Sequence, residues 1–308
     1  MNKTTAVSHA LLETIQIEGR SVDVLRLDRH HGQAPGNKWF KLNHNLGDAR
    51  QLSARTLASF GGAWSNHLHA LAIIAAETGF ASVGWVRADG LETAMLQDAQ
   101  QAGMQLVFLS RSEYRRRHDP GFVAELLGDI DAPFYIPEGG GNLAGVQGCG
   151  DILKLLPNAG ADYDEIMLAC GTGTTLAGLV AAYQGRGCIT GVPVLKAEKF
   201  MAAEVNKLLA QLPVSSCQWR LDHRFHCGGY AKLPDYLRCF IQQFESKQSI
   251  PLEPVYTAKV FYAAQQRIRA GEFAPEEKLL LIHTGGLQGR RGFPDLYPDL
   301  YSDLYNGG

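Results

Sequence analysis

The stretch Ile166-Met-Leu-Ala-Cys-Gly-Thr-Gly-Thr-Thr-Leu-Ala-Gly-Leu-Val180 decides the fold. It predicts a short apolar strand, a turn of glycine and threonine, and then an apolar helix. Such a turn directs backbone N–H groups, hydroxyl groups and a helix N-terminus to one point, which suits a phosphate. The turn lacks the Gly-Lys-Ser/Thr ending of a P-loop and the third glycine of the dinucleotide fingerprint. The sequence therefore predicts a phosphate site whose ligand is not an obvious nucleotide.

Composition and charge limit the class of protein. The 308 residues, 45% of them hydrophobic, are enough to bury the core of one large or two medium domains. A net charge of −2 sets up no field for nucleic acid or an anionic membrane. The six cysteines lack the spacing of a metal site or a disulfide framework, so we expect no metal. No signal peptide or membrane-length apolar run is evident, which predicts a cytoplasmic protein without a membrane partner.

Apolar runs alternate with helical patterns along the chain, which favours an α/β fold with parallel sheets. Two polar segments are expected to be simple surface: the basic run at 115–117, as a solvated helix face, and the tail at 293–308. Glycine-rich turns follow several strands, and ligands bind at the carboxyl ends of strands in such sheets. These turns are therefore expected to face one cleft. The predicted strands are 22–27, 56–60, 81–86, 105–109, 134–136, 165–169, 188–194 and 279–283, and the predicted helices include 66–78, 91–102, 174–183 and 255–269.

Lys38 is a candidate reactive group. It lies in Pro35-Gly-Asn-Lys-Trp-Phe-Lys-Leu42, at the start of an apolar-periodic helix. A lysine in an apolar, partly buried setting has a lowered pKa, and its neutral amine can form a Schiff base with a carbonyl compound. Trp39 and Phe40 are expected to supply that setting. On this segment alone Lys41 competes on the same grounds, and a surface lysine at a helix start is the simpler interpretation.

Five segments, taken in order, connect the phosphate turn to this lysine. They are Gly36-Asn-Lys38, Gly61-Gly-Ala-Trp-Ser-Asn66, the turn after Cys170, Pro254-Val-Tyr-Thr257 and His283-Thr-Gly-Gly286. In that order they resemble the 1-aminocyclopropane-1-carboxylate deaminase/D-cysteine desulfhydrase family, from about Arg26 to Gly289. The resemblance implies an α/β, two-domain fold of the tryptophan synthase β type, with open, mainly parallel sheets and helices on both faces. It also implies pyridoxal 5'-phosphate as cofactor, a small amino-acid substrate, and a homodimer. Its domains would be a large one of residues 1–42 and 133–308 and a small one of 43–132.

The resemblance also implies roles for single residues in holding the cofactor. Lys38 falls on the lysine that forms the Schiff base, and Asn66 on the residue that bonds the phenolic oxygen. Thr284 falls on the position that faces the pyridine nitrogen, although a threonine satisfied by its own turn would look the same. The implied phosphate cradle is Cys170, Gly171, Thr172, Gly173, Thr174 and Thr175.

Other residues are implied to contact the substrate. Lys38, Ser65 and Tyr256 form the implied catalytic set. Ser65 would hold the substrate carboxylate, and an ordinary helix N-cap is an equal and compatible interpretation. Tyr256 would act on the leaving group or the amino group, or it is a core aromatic at helical spacing. Asn66, His67 and Thr257 complete the implied substrate-binding set, whereas His69 and His283 receive no role.

Two reactions are open within the family. α,β-Elimination from D-cysteine or a related amino acid gives pyruvate, ammonia and sulfide. Opening of 1-aminocyclopropane-1-carboxylate gives 2-oxobutanoate and ammonia, from a substrate without an α-proton. The family's deaminases typically carry Glu and Leu where this chain has Thr257 and Thr284, so the resemblance favours elimination. Outside the family, a non-catalytic phosphate-ligand binder would explain the glycine turns but would leave Lys38 without a task.

Overall fold

A computed structural model describes residues 11–87, 91–196, 198–213 and 215–302. Residues 1–10 of the predicted large domain and 303–308 of the predicted tail lie outside this part of the chain. The strands are β1 (Leu12–Ile17), β2 (Arg20–Arg26), β3 (Thr56–Gly62), β4 (Ala81–Arg87), β5 (Met104–Phe108), β6 (Pro133–Tyr135), β7 (Glu165–Cys170), β8 (Cys188–Pro193), β9 (Gln218–Leu221) and β10 (Leu279–His283). The helices are α1 (Asn37–Gln51), α2 (Asn66–Thr78), α3 (Ala94–Gln101), α4 (Arg111–Arg115), α5 (Pro120–Leu127), α6 (Leu143–Gly150), α7 (Thr174–Ala182), α8 (Glu198–Leu209), α9 (Asp235–Gln248), α10 (Thr257–Arg269) and α11 (Asp299–Ser302).

The strands form two sheets. The six-stranded sheet has the order β1-β2-β10-β7-β8-β9, in which β1 and β2 pair antiparallel and the other neighbours pair in parallel. The four-stranded sheet has the order β5-β4-β3-β6, with parallel pairing throughout. Parallel neighbours need crossover connections, which the intervening helices supply. The predicted α/β fold with mainly parallel sheets is confirmed.

The six-stranded sheet is buried on both faces, which explains its continuous apolar strands. Along β7, Ile166 and Leu168 pack into one hydrophobic cluster, and Met167 and Ala169 pack into another on the opposite face. Helices therefore cover both faces. In the described part of the chain, no helix is long and apolar enough to cross a membrane.

Strand β1 was missed because its apolar and polar residues alternate over a short, half-buried run. Its signal is the two-residue turn Glu18-Gly19, where φ is 48° and 78°, as hairpins with tight turns require.

The prediction that the tail is simple surface is wrong in part. Leu296 and Tyr297 pack against the core, and the Tyr297 hydroxyl donates to the Leu252 carbonyl at 3.1 Å. The chain after Phe293 is therefore anchored before it reaches the surface helix α11.

Candidate active site

Lys38 lies in the first turn of α1, beside the end of β10. The Asn37 N–H donates to the Thr284 carbonyl at 3.1 Å. Gly36, which precedes the helix, has a φ of 98°, and a Cβ there would press into the same carbonyl. Glycine thus lets α1 begin this close to β10. The Asn37 carboxamide donates to Thr175 Oγ1 at 2.9 Å and accepts from Lys38 Nζ at 3.0 Å. The lysine is therefore tied both to the last strand and to the glycine-threonine turn.

The surroundings of Lys38 favour a neutral amine. The half-buried side chain lines a cavity of about 1410 Å³, and its Nζ lies 6.0 Å from the centre of the Tyr256 ring. Burial, together with the charge of Lys41, lowers the pKa of Lys38 to about 7. Trp39 and Phe40 pack against each other, with ring centroids 5.1 Å apart, and are not among the described residues that line the cavity. The two rings therefore do not supply the predicted apolar setting of Lys38 on the side that faces the cavity.

Lys41 also reaches the cavity, but its amine is engaged. Its side chain is buried, and Nζ donates to the Gly139 carbonyl at 3.0 Å. Lys38 Nζ likewise has one neutral amide oxygen as acceptor, at the same distance, but its side chain is only half-buried and is therefore more accessible from the cavity. The geometry therefore favours Lys38 over Lys41 as the reactive lysine.

Lys38 is expected to react with acylating reagents with a pH midpoint of about 7. The protonated amine is unreactive, so its reactivity should rise as pH increases through 7 and then level off. Ordinary exposed lysines titrate near 10.4 and should become more reactive up to that pH. Trace acetylation of the apoprotein between pH 6 and 10, quantified for each lysine by mass spectrometry, measures the pH dependence of Lys38 and of the exposed lysines in one sample. A rise at Lys38 that parallels the exposed lysines would contradict the lowered pKa.

The glycine-threonine turn connects β7 to α7 and forms one wall of the cavity. Gly173 has a φ of 80° and no side chain caps the helix, so the N–H groups of the first turn of α7 remain available for an anion. The Thr172 and Thr174 hydroxyls lie 2.9 Å apart. A Cβ on Gly171 would lie 3.2 Å from the Tyr256 ring, so glycine keeps this cradle open. Cys170, Gly171, Thr172, Gly173 and Thr175 line the cavity, and Thr174 is buried behind them.

A second turn, after β3, brings Ser65 and Asn66 to the cavity. Ser65 is the N-cap of α2 and accepts from the Leu68 N–H at 3.2 Å. Ser65 therefore caps α2, as one of the two interpretations predicted, and the capped N-terminus of this helix lines the cavity. His67 follows in the cavity wall, where its Nε2 lies 2.9 Å from Ser59 Oγ. Burial, and then the charges of the nearby lysines, lower the pKa of His67 to about 3. Its imidazole is therefore neutral.

Tyr256 and Tyr230 form the wall that faces Lys38. The two rings are 6.3 Å apart and nearly perpendicular. Burial raises the pKa of Tyr256 well above its ordinary value, so the phenol stays protonated. Tyr230 was missed from the sequence. It lies in a loop of left-handed residues, in which the Gly229 carbonyl accepts from buried Lys259 at 2.8 Å. The signal was Gly228-Gly-Tyr230, a glycine pair before an aromatic residue.

The structure brings Thr284 into the cavity but not Thr257. The Thr257 side chain is fully buried, and its hydroxyl accepts from the Glu253 N–H at 2.7 Å. Thr257 therefore stabilises the start of α10 and, unlike the rest of the predicted substrate-binding set, does not line the cavity. The two histidines without a predicted role have structural partners. His69 Nε2 lies 3.0 Å from Asp98, and His283 Nε2 donates to the Pro251 carbonyl at 2.7 Å.

The basic run after α4 is only partly a solvated face. Arg115 and Arg116 are exposed, but Arg117 Nε donates to Glu138 at 2.7 Å, and the Tyr114 hydroxyl donates to the same carboxylate at 2.6 Å. Arg117 and Glu138 both line the cavity. The prediction of a fully solvated face is therefore wrong for Arg117, which helps to form the far wall of the site.

Together these elements define a class of site. The amine of Lys38, whose lowered pKa favours reaction with a carbonyl group, shares one cavity with the N-terminus of α7, which can bind an anion. Amide and hydroxyl groups of other residues also line this cavity. The residues present fit a pyridoxal phosphate: the turn at 171–175 would hold its phosphate, and Lys38 would bind its aldehyde. The site is that of a pyridoxal-phosphate enzyme.

Comparison with known proteins gives the family. The model of the family described as pyridoxal-phosphate dependent enzyme matches residues 23–285. A putative 1-aminocyclopropane-1-carboxylate deaminase of Pyrococcus furiosus is 30% identical over 268 residues, 82% of this chain and 81% of that protein. A D-cysteine desulfhydrase of Serratia proteamaculans is 25% identical over 292 residues, 87% of each chain. The crystal structure of an ACC deaminase homologue superposes with a TM-score of 0.78 at 23% identity, over 98% of this chain and 99% of that one.

The chain belongs to the pyridoxal-phosphate-dependent enzyme family and, within it, to the 1-aminocyclopropane-1-carboxylate deaminase/D-cysteine desulfhydrase group. It is an enzyme, and its cofactor is pyridoxal 5'-phosphate. Membership excludes the non-catalytic ligand binder. The predicted family, fold and cofactor are confirmed, whereas the roles of the individual site residues stay predictions.

Proposed function

We propose that the enzyme catalyses α,β-elimination from D-cysteine or a closely related amino acid, with pyruvate, ammonia and sulfide as products. The observation that carries the proposal is that Lys38 and Tyr256 face each other in one cavity, where burial lowers the pKa of the amine to about 7 and raises the pKa of the phenol. Lys38 Nζ lies 6.0 Å from the centre of the Tyr256 ring. Elimination needs a base for the α-proton and an acid for the departing sulfur, and these two groups match those needs.

The bound cofactor supplies the electron-withdrawing group that makes the α-proton of the substrate acidic. Lys38 Nζ, neutral above about pH 7, accepts this proton. The Tyr256 hydroxyl donates a proton to the sulfur as the C–S bond breaks, and Tyr230 lies beside it. The unsaturated amino acid that is released takes up water and yields pyruvate and ammonia, which balances the atoms of the substrate.

The substrate carboxylate is proposed to bind at the N-terminus of α2. Ser65 Oγ accepts from the Leu68 N–H, so the preceding N–H groups of the helix remain for an anionic ligand. Asn66 and His67 extend this surface. Thr257 has no part in it, because its hydroxyl bonds the backbone of Glu253.

Deamination of 1-aminocyclopropane-1-carboxylate is the second candidate, because the Pyrococcus furiosus relative, at 30% identity, bears that name. Ring opening has no α-proton to remove. Lys38 would then need to protonate or deprotonate another carbon of the substrate, or one of the two tyrosines would have to act there. This reaction uses the same wall of the cavity in a different way.

We expect the purified holoenzyme to release sulfide and pyruvate from D-cysteine at least about tenfold faster than 2-oxobutanoate from 1-aminocyclopropane-1-carboxylate, since Lys38 and Tyr256 match the elimination. L-Cysteine, assayed in parallel, reports the preferred chirality. Tyr256→Phe should lower kcat on D-cysteine by about 10²-fold, because the proton donor is lost. Faster formation of 2-oxobutanoate would replace the proposal with the second candidate. Unchanged turnover by Tyr256→Phe would remove the tyrosine from the mechanism.

The two-domain organisation and the homodimer are part of the proposal. Strands β3, β4 and β5 come from the predicted small domain of 43–132, and the four-stranded sheet also takes in β6, at Pro133–Tyr135. Helix α1 runs across the other predicted boundary. Lys38 and Ser65 would then belong to different domains. Light scattering of the purified enzyme tests the dimer, and a monomer mass would contradict it.

A further inference from the structure

The carboxamide of Asn66 has two unlike ends, and its orientation decides what it offers to a ligand. Oδ1 can only accept a hydrogen bond, whereas Nδ2 can only donate. Asn66 is the first residue of α2 and lines the cavity. A phenolic oxygen in the cavity would be stabilised by Nδ2 and repelled by Oδ1. Correct function of Asn66 therefore requires that something selects one of the two orientations.

Gln288 is the residue in contact with the acceptor end. Its Nε2 donates to Asn66 Oδ1 at 2.9 Å. The other end, Nδ2, faces Gly286, where a Cβ would lie only 3.0 Å away. Gly286 and Gln288 both line the cavity. With Oδ1 occupied by Gln288, the donor end of Asn66 remains for the cavity.

The backbone that carries Gln288 is anchored on the opposite side. Arg291 Nε donates to the Gln288 carbonyl at 3.2 Å. The guanidinium of Arg291 also pairs with Asp98 of α3, and that carboxylate lies 3.0 Å from His69 Nε2 of α2. The short helical turn Leu287–Gly292 is thus fastened to α3 and, through Asp98, to α2, the helix that begins at Asn66. The turn follows β10 of the six-stranded sheet, and Asn66 follows β3 of the four-stranded sheet. The bond between Gln288 and Asn66 therefore links the two sheets at the cavity.

We propose that Gln288 is a positioning residue that holds the Asn66 carboxamide with its donor end toward the phenolic oxygen of the cofactor. The inference rests on the proposed role of Asn66 and deepens it. Gln288 acts through Asn66 and does not take part in proton transfer. In this proposal the ion pair of Arg291 with Asp98 holds the backbone of Gln288 close enough for its side chain to contact Asn66.

The test compares two substitutions of opposite polarity. Gln288→Met removes the donor with little change of length. Gln288→Glu replaces the donor with an acceptor, which draws Nδ2 away from the cavity and turns Oδ1 toward the phenolic oxygen. The affinity of the apoprotein for pyridoxal phosphate, measured by fluorescence titration, should fall about tenfold with Gln288→Met, as expected for one lost hydrogen bond, and further with Gln288→Glu. The visible absorption band of the bound cofactor should also shift with Gln288→Glu.

Exposed Gln100 of α3 provides the matched control. Gln100→Met and Gln100→Glu should leave both the affinity and the absorption band as in the unmodified protein. Wild-type affinity in Gln288→Glu would show that Gln288 accepts from Asn66, and would overturn the proposed polarity. Equal losses in Gln288→Met and Gln288→Glu, with lowered melting temperatures, would show a merely structural turn. Should Gln288→Glu not fold, unchanged affinity in Gln288→Met would overturn the proposal alone.

Asn66→Ala separates this inference from the proposal on which it rests. In an Asn66→Ala background, Gln288→Glu should change cofactor affinity less than about twofold, because the coupled partner is gone. A full effect of Gln288→Glu in that background overturns the positioning role while leaving Asn66 in place. If Asn66→Ala itself binds the cofactor like the unmodified protein, the role of Asn66 is wrong and the positioning role is overturned with it. Turnover of D-cysteine, assayed separately, tests the reaction independently of both.

Discussion

Replacement of Lys38 by alanine is expected to abolish covalent attachment of pyridoxal phosphate and to lower turnover on the order of 10³-fold or more, since this one amine is proposed as both the anchor of the cofactor and the base. Its Nζ has a neutral carboxamide as acceptor, at 3.0 Å, and a pKa lowered to about 7. Both features suit attack on an aldehyde. The measurement is the visible band of the reconstituted protein, together with borohydride reduction and mass spectrometry of the labelled peptide.

The control is Lys154→Ala, because the Lys154 side chain is 76% exposed and pairs with Asp151 away from the cavity. It should retain the band and the turnover. The competing lysine gives the sharpest contrary result. A reduced cofactor found on Lys41 in the unmodified protein would show that the bond of Lys41 to the Gly139 carbonyl is broken when the cofactor binds. Lys41 would then be the reactive residue in place of Lys38.

Substitution of Gly36 by alanine is expected to destabilise the fold by about 3 kcal/mol or more and to weaken cofactor binding, because two penalties coincide at this position. The φ of 98° is unfavourable for any side chain. The added methyl group would also collide with the Thr284 carbonyl oxygen. Relief requires that α1 move away from β10, and this movement separates Lys38 from Thr284. Urea denaturation of the apoprotein measures the free energy of unfolding.

Gly47 gives a matched control in the same helix. A Cβ on Gly47 would meet no atom within 4 Å. Gly47→Ala should therefore be neutral or stabilise α1 by up to about 1 kcal/mol, through helix propensity. The contrary result is a free energy of unfolding for Gly36→Ala within about 0.5 kcal/mol of that of the unmodified protein, as for a typical surface substitution. It would show that α1 can shift away from β10 without loss of stability.

The scaffold could be predicted because its determinants are local in sequence. Strand β7 consists of six buried residues, five of them an apolar run after Glu165, and the glycine-threonine turn follows it directly. Helix α2 begins and ends where it was predicted, since Ser65 caps its start and Gly79 ends it with a φ of 79°. Such signals lie within a few residues of the structure they specify.

The missed features depend on contacts between distant segments. Tyr230 reaches Tyr256 because buried Lys259 holds the loop that carries it. Gln288 meets Asn66 across 222 positions of the chain. No local pattern encodes such pairings. Thr257 differs from these residues, because it was assigned to the substrate-binding set by the family resemblance and lies outside the cavity lining although its neighbour Tyr256 is part of it. Adjacent residues at a helix start point to different sides.

The sheet order has a consequence for the order in which the enzyme becomes competent. Strand β10 is the last strand in sequence, yet it lies between β2 and β7 in the larger sheet. While the chain is being synthesised, those two earlier strands have no common neighbour until residues 279–283 leave the ribosome. Thr284, which accepts the N–H of Asn37, arrives at the same moment. A nascent chain therefore carries Lys38 early in synthesis, but the contact that fixes the start of its helix can form only after residues 279–284 have been made.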